Sequence, residues 1–264
     1  MTSKLALPLA LCLLLAGCAT ISHDFSPAPS PSEAVPTPEA SPLPSPEWGE
    51  QVYMTAFSVE GRETPVFSPE YHLPKIQNAD GIPAYEAVNT YYATELDDLA
   101  SSSSELSAWA VDDYKASLMA DFPFYAYADT ESYELTMETP SRVSILRSHY
   151  SSFGTPAPAL YPIGDTFDLV TGERLSFADL FTCPADQARE RVLSALLALN
   201  AAGSYSNTVL DADALRAAYN SEQFYLTEDS LVCYYPSGDL PRAVGCPTFA
   251  IPYTELEDIF APWE

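Results

Sequence analysis

Hydrophobic and polar side chains alternate along several short stretches of the chain, and β-branched and aromatic residues are frequent in them. A period of two favours strands that bury one face. The predicted strands are residues 52–60, 71–76, 133–137, 142–150, 159–170, 224–226, 231–235 and 248–252. Thr139-Pro140-Ser141 separates the third from the fourth, and this turn sequence predicts a β-hairpin.

Apolar residues recur at helical spacing in two longer stretches. One helix is predicted to begin near Pro83 and to be interrupted or kinked at Ser101 to Ser104 before its apolar pattern resumes. A second is predicted between Pro184 and Gly203, and shorter helices are predicted at residues 176–181, 211–219 and 256–260. Strands and helices do not alternate regularly. We therefore expect an α+β fold with a mixed, mainly antiparallel sheet packed against helices, as one domain or two closely packed subdomains.

The amino terminus has the features of an export signal. Lys4 precedes an apolar run of eleven residues, Leu5 to Leu15, which is too short to span a bilayer. The run ends in Leu15-Ala16-Gly17-Cys18, a pattern at which lipoproteins are lipidated and cleaved. The sequence thus resembles a bacterial lipoprotein. This resemblance implies a signal peptide at residues 1–17, a lipid on Cys18 and a location on the extracytoplasmic face of the cell membrane.

Proline dominates the segment that follows, with eight prolines between Ser26 and Pro46. Such a segment favours extended polyproline II and buries too little surface to fold alone. We expect residues 18–48 to form a tether. Residues 49–157 and 158–264 are then predicted to be the amino-terminal and carboxy-terminal halves of the folded domain.

The chain has 37 acidic and 11 basic residues, a formal net charge of -26, and cleavage after residue 17 would leave -27. This excess of negative charge opposes binding to nucleic acid, because phosphates attract Lys and Arg. It speeds encounter with basic partners instead. We therefore expect the membrane, through the lipid, and a basic protein or envelope polymer as partners, and no nucleic acid.

No short motif for a catalytic nucleophile, a nucleotide or a metal occurs in the sequence. Beyond the tether the histidines are His72 and His149, and neither has a second ligand at metal spacing. Asp97-Asp98 and Asp112-Asp113 are pairs of neighbours, whose side chains point about 100° apart on a helix. We expect no metal, no cofactor and no catalytic residue.

Three cysteines follow Cys18, namely Cys183, Cys233 and Cys246. Cys233 and Cys246 flank the loop between two predicted strands, so antiparallel pairing could join them in a disulfide. The alternative is three unpaired, buried thiols.

Residues 167–181 read Phe-Asp-Leu-Val-Thr-Gly-Glu-Arg-Leu-Ser-Phe-Ala-Asp-Leu-Phe, and Phe224 to Thr227 and Ile251 to Leu256 follow in order. Together with Tyr71 to Ile76 and the stretch Glu86 to Asn89, they resemble an extracytoplasmic domain that covers nearly all of residues 50–264. That domain senses lysozyme in sigma-V anti-sigma factors and is an accessory domain in some peptidoglycan deacetylases. The resemblance implies a candidate ligand loop that contains Tyr234, Tyr235, Pro236, Pro241 and Arg242.

Charge and resemblance together predict a surface-tethered, non-catalytic protein that binds or senses a cationic protein, peptide or envelope component. The alternative is a cell-envelope hydrolase, or an accessory subunit of a peptidoglycan-modifying enzyme. In that case dispersed acids such as Glu70, Asp165 and Asp179 would come together in the fold.

Overall fold

Five strands form a mixed sheet in a computed structural model that describes residues 43–154, 158–206 and 208–261. They lie in chain order across the sheet, and β2 and β3 are parallel whereas all other neighbours are antiparallel. The strands are β1 (Trp48–Met54), β2 (Phe67–Ile76), β3 (Tyr127–Glu138), β4 (Arg142–Ser152) and β5 (Ala159–Asp168). The predicted signal peptide, Cys18 and most of the predicted tether lie outside the described residues.

One helix, α1 (Pro83–Ala120), packs on one face of this sheet. It begins at Pro83, as predicted, because proline fits the first helical turn. The predicted interruption at Ser101 to Ser104 is wrong, since the helix continues through it. Ser103 Oγ donates to the Ala100 carbonyl and lies 3.2 Å from Tyr53 Oη in β1. Local bonding and packing on the sheet thus outweigh the low helix propensity of the serines.

Three shorter strands form a second, antiparallel sheet in the order β6-β7-β8. They are β6 (Phe224–Leu226), β7 (Ser230–Tyr234) and β8 (Thr248–Pro252). The remaining elements are the helices α2 (Ala185–Ala201) and α3 (Ala212–Ala218) and two 3-10 helices, Phe177–Leu180 and Tyr253–Glu255. Asp179 accepts the Ser176 N–H at 2.8 Å, which confirms the capping box predicted there. The predicted α+β class, with its mixed and mainly antiparallel sheet, is confirmed.

Two apolar clusters hold most of the core. The first lies between the five-stranded sheet and the amino-terminal half of α1, and it includes Leu73, Tyr85, Val88, Tyr92, Ile145 and Phe167. The second lies between the three-stranded sheet and α2, and it includes Val192, Leu196, Leu231, Phe249 and Ile251. A smaller cluster near the carboxy-terminal half of α1 contains Ala110, Phe67 and Tyr127.

A proline inside β2 is placed where it does not weaken the β1–β2 ladder. The Gln77 N–H donates to the Glu47 carbonyl, and the Thr55 N–H donates to the Pro69 carbonyl. Hydrogen-bonded pairs alternate along an antiparallel ladder, so the bonded positions of β1 are the odd-numbered ones. Pro74 is paired with Glu50 and therefore occupies a non-bonded position, where its missing N–H is tolerated.

The two sheets meet at Gly164 in β5. A Cβ at this position would lie 1.7 Å from the Phe224 carbonyl oxygen, so the contact requires glycine. The Gly164 N–H donates to Tyr234 Oη, and the Leu226 N–H donates to Ser144 Oγ, both at 2.9 Å. The predicted division after residue 157 separates β4 from β5, although these strands pair along their length. The change from one sheet to the other occurs after Asp168.

We expect Gly164→Ala to lower the free energy of unfolding by about 3 kcal/mol, since the new methyl group forces the two sheets apart. Gly49→Ala is the matched control. Its Cβ would meet the flexible end of the Gln77 side chain, so we expect a loss of about 1 kcal/mol. Urea denaturation measures both values, and equal losses would contradict this role of Gly164.

Candidate functional site

A row of polar and aromatic side chains crosses all five strands on the side of the sheet that α1 covers. Register pairs each residue with the next, so neighbouring side chains share one face. This inner row consists of Tyr53, Tyr71, Glu131, His149 and Tyr161. It is unusual because Glu131 and His149, two charged side chains, occupy the middle of a face that packs against a helix.

Arg147 in β4 is the centre of a buried ionic cluster beside the inner row. Its side chain is only 3% exposed, and three carboxylates surround it. The guanidinium lies 2.7 Å from Glu131 in β3, 2.8 Å from Asp165 in β5 and 2.9 Å from Glu95 in α1. Burial lowers the pKa of Arg147, but Asp165 and Glu131 outweigh it and the pKa is raised. The cluster therefore joins three neighbouring elements to β4 through one permanent positive charge.

His149 bridges Glu131 and one further carboxylate, that of Asp129. Its Nδ1 lies 3.0 Å from Glu131 Oε2, and its Nε2 lies 3.0 Å from Asp129 Oδ1. Burial lowers the pKa of His149, but the hydrogen bonds to Asp129 and Glu131 raise it to about 9 overall. Because a carboxylate only accepts, Nδ1 donates to Glu131, and a second carboxylate 3.0 Å from Nε2 makes the ring an imidazolium at neutral pH.

Tyrosines complete the coordination of the buried acids. Tyr71 Oη donates to Asp129 Oδ2 at 2.6 Å, and Tyr91 Oη donates to Asp165 Oδ1 at 3.1 Å. Burial, reinforced by the bond to Asp129, raises the pKa of Tyr71. Arg174 adds a second guanidinium to Asp165 at 2.8 Å. Each buried carboxylate is thus engaged by a cation or a hydroxyl group, an arrangement that stabilises a fixed geometry.

The three acids named for the hydrolase alternative are not brought together. Glu70 contacts His72 in an exposed pair, Asp165 belongs to the buried cluster, and Asp179 caps a 3-10 helix. Their convergence was a prediction of that alternative, and the fold does not provide it.

The opposite side of the five-stranded sheet carries an exposed row, one residue along from the inner row. This outer row consists of Met54, Glu70, Thr130, Tyr150 and Leu160. Met54 is 64% exposed, Tyr150 37% and Leu160 38%, so all three side chains reach solvent. The second sheet packs further along this side, at Ser144 and Gly164. The outer row is therefore an open surface on a rigid support.

Carboxylates surround the apolar side chains of this open surface. Glu50 in β1 and Glu134 in β3 point to the same side as Glu70 and are exposed. His72 lies between Glu50 and Glu70, at 3.0 and 2.9 Å. Hydrogen bonds to Glu70 and Glu50 raise the pKa of His72. We define the acidic face as Glu50, Val52, Met54, Glu70, His72, Thr130, Glu134, Tyr150 and Leu160.

The predicted ligand loop is only partly at the surface. Tyr234 and Tyr235 are buried, and their hydroxyl groups bond to the Gly164 N–H and the Leu215 carbonyl. Tyr234 packs against the first sheet and Tyr235 packs against Phe249 in the second core, so neither ring is available as the predicted ligand contact. Pro236 is half-buried. Pro241 and Arg242 are exposed and line a cavity of about 620 Å³ with residues 208–211.

The predicted disulfide is not formed, since Cys233 and Cys246 are free thiols, as is Cys183. Cys233 lies in the core opposite Phe249, and burial raises the pKa of its thiol to about 12. Cys246 lies before β8, and its Sγ donates to the Leu160 carbonyl at 3.2 Å. The β7–β8 register therefore separates the two sulfur atoms.

Within the described ranges, no three metal-ligating side chains are grouped so that they could hold an ion. Nor does any helix there have the length and apolar character needed to cross a bilayer.

Two solved structures resemble this chain in fold. One is a DUF3298 family member from Bacteroides fragilis, with a TM-score of 0.63 and 16% identity over 83% of this chain and 94% of the other. The second is a DUF3298 family protein from Pseudomonas aeruginosa, with a TM-score of 0.56 and 15% identity over 83% and 96%. The fold is that of DUF3298 proteins. DUF3298 is a domain of unknown function, and identities this low establish the fold alone. No family model and no curated protein matches the sequence.

The ionic cluster within this DUF3298 fold was missed by the sequence analysis, although the sequence contains a signal for it. Asp129 and Glu131 alternate in step with the half-buried Tyr133 in β3, and Arg147 and His149 alternate in step with the buried Ile145 in β4. Opposite charges at a period of two on both strands of a predicted hairpin indicate cross-strand ion pairs.

We expect the stability of the protein to decline between pH 7 and pH 10 because of His149. Its folded-state pKa of about 9 is above the unfolded value of about 6.5. The stabilisation is therefore complete below pH 6.5 and is lost as the pH rises through 9, in total roughly 3 kcal/mol. His149→Gln should be less stable at pH 7 and should show a smaller decline. His72→Gln is the comparison, because its pair with Glu50 and Glu70 is more open to solvent and should reduce the decline less than His149→Gln does. Parallel pH curves for all three proteins would refute this expectation.

Proposed function

We propose that the protein is a lipid-anchored, extracytoplasmic lipoprotein whose folded domain binds or senses a cationic protein, peptide or cell-envelope polymer without transforming it. The observation that carries the binding role is the acidic face, where exposed carboxylates surround exposed apolar side chains on a sheet. Such a surface offers charge for encounter and apolar area for affinity.

The buried cluster supports binding rather than catalysis. An acid or base catalyst needs a carboxylate or imidazole that can reach a ligand and exchange a proton with it. Asp129, Glu131 and Asp165 are instead enclosed by Arg147, His149 and tyrosines. The cluster makes the sheet rigid, and a rigid sheet loses little entropy when it binds a partner.

The sequence likeness to lysozyme-sensing domains of sigma-V anti-sigma factors, and to accessory domains of peptidoglycan deacetylases, agrees with this role. The net charge of -26 adds attraction to any basic ligand. The proposed membrane location rests on Cys18 and the small residues before it, which match a lipidation site. Two acyl chains on one residue are enough for stable anchoring.

We expect Cys18→Ala to move the protein from the membrane fraction to the soluble fraction and to abolish labelling with radioactive palmitate. Ser26→Ala, which leaves the cleavage site intact, is the control. Palmitate incorporation into the Cys18→Ala variant would refute the anchor.

We expect the full-length protein in detergent to bind lysozyme, a basic protein probe, with an affinity that falls at least tenfold between 20 and 300 mM NaCl. The double variant Glu50→Gln/Glu70→Gln should weaken binding about fivefold, because each lost charge contributes up to about 1 kcal/mol. Asp97→Asn/Asp98→Asn is the matched control, since it removes two exposed charges from α1 on the other side of the sheet. Isothermal titration calorimetry measures all three affinities.

Equal weakening by both double variants would place the binding surface elsewhere. The absence of any salt-dependent basic ligand, among lysozyme, polylysine and basic envelope proteins, would refute the proposed function. Turnover of peptidoglycan fragments by the pure protein would favour the hydrolase alternative instead.

A further inference from the structure

Strand β1 is an open edge of the five-stranded sheet. It is the first strand in the order, and among the described residues no strand pairs with its other side. The bonded positions of the β1–β2 ladder are odd-numbered, as the bonds of Glu47 and Thr55 establish. The N–H and C=O groups of Glu50, Val52 and Met54 therefore point away from β2, toward the open side.

The same three residues present their side chains to the acidic face. Val52 is 44% exposed and Met54 64%, and Glu50 is exposed beside His72. The even-numbered residues of β1 thus have both their free backbone groups and their exposed side chains at the same corner of the sheet. A segment that pairs with this edge would place every second side chain on the acidic face.

We propose that the cationic ligand binds by strand addition, with an extended basic segment of the partner pairing along β1. This inference rests on the proposed function and specifies its binding mode. Main-chain hydrogen bonds to Glu50, Val52 and Met54 provide affinity, and Lys or Arg side chains of the added strand lie beside Glu50 and Glu70. Strand β1 has seven residues, so the segment it accommodates spans about 24 Å.

Two other occupants of this edge are a second copy of the chain and the chain's own proline-rich segment, and neither suits it. A second copy of the chain would bring another Glu50, another exposed Glu47 and another net charge of -26 to the same edge. Like charges placed opposite each other destabilise strand pairing. The chain's own segment from Ser26 to Pro46 contains eight prolines, which have no N–H to donate to the ladder. An acidic edge with free donors and acceptors therefore suits a basic partner.

The test uses the full-length protein in detergent and a heptapeptide of alternating Lys and Val, acetylated and amidated. Two variants of the peptide have the same charge and composition. In one, the backbone nitrogens of the lysines are methylated, which removes the donors that face β1 when the peptide pairs antiparallel to β1 with its lysines on the acidic face. In the other, the valine nitrogens are methylated, which removes donors on the outer edge only.

We expect lysine N-methylation to weaken binding at least tenfold and valine N-methylation to change it less than threefold. On the protein, Val52→Pro removes one outward N–H at a position that makes no bond to β2, so the fold should survive. It should weaken binding of the unmodified peptide at least fivefold, and more than Val52→Ala, which keeps the N–H and loses only apolar contact. Circular dichroism checks that both variants are folded. The comparison of the two methylated peptides uses the unaltered protein, so it remains a test even if Val52→Pro does not fold.

Equal binding of both methylated peptides would refute strand addition and leave the proposed function intact. Failure of the peptide and of lysozyme to bind at low salt would refute the proposed function itself. A dimer of the unliganded protein that Val52→Pro converts to a monomer would show that a second copy occupies β1, which would also overturn the inference.

Discussion

The buried guanidinium of Arg147 is the constraint on which the five-stranded sheet depends. A charge that is 3% exposed is tolerated only with close partners, and these come from β3, β5 and α1. Loss of one partner from a buried ion pair typically costs about 3 to 5 kcal/mol. A slip of β4 by one residue would move Arg147 to the outer side of the sheet, away from all three carboxylates. The ionic cluster therefore fixes the register of the central strands and the position of the long helix.

The register that buries the cluster also orders the acidic face. Tyr71, Glu131 and His149 on the inner side are chain neighbours of Glu70, Thr130 and Tyr150 on the outer side. Each pair of neighbours points to opposite sides of its strand. The register that pairs the buried ions therefore also sets the distances between the exposed side chains. A rigid array of this kind can select a ligand by the spacing of its charges.

The sequence predicted the fold class, the β3–β4 hairpin and the capping box at Ser176, because each depends on local patterns. It did not predict the continuity of α1 through Ser101 to Ser104, since packing on the sheet overrides helix propensity there. Tyr234 and Tyr235 were expected at a ligand surface, yet Tyr234 is buried at the contact between the sheets and Tyr235 is buried in the core of the second sheet against Phe249. The acidic face could not be predicted either. It depends on strand order, in which β2 and β3 pair in parallel across more than fifty residues of sequence.

The long-range order of the sheet also determines how the domain responds to mechanical force. The described chain enters the sheet through β1, after Pro44 accepts a bond from Tyr85 and the Glu47 N–H donates to Asn78. Tension transmitted along the polypeptide from its amino-terminal side loads these two contacts first and the β1–β2 ladder next. Arg147 lies in β4, three strands from β1, and is shielded until β1 detaches. Strand β1, which has the open edge, is thus the first strand of the sheet to detach under tension.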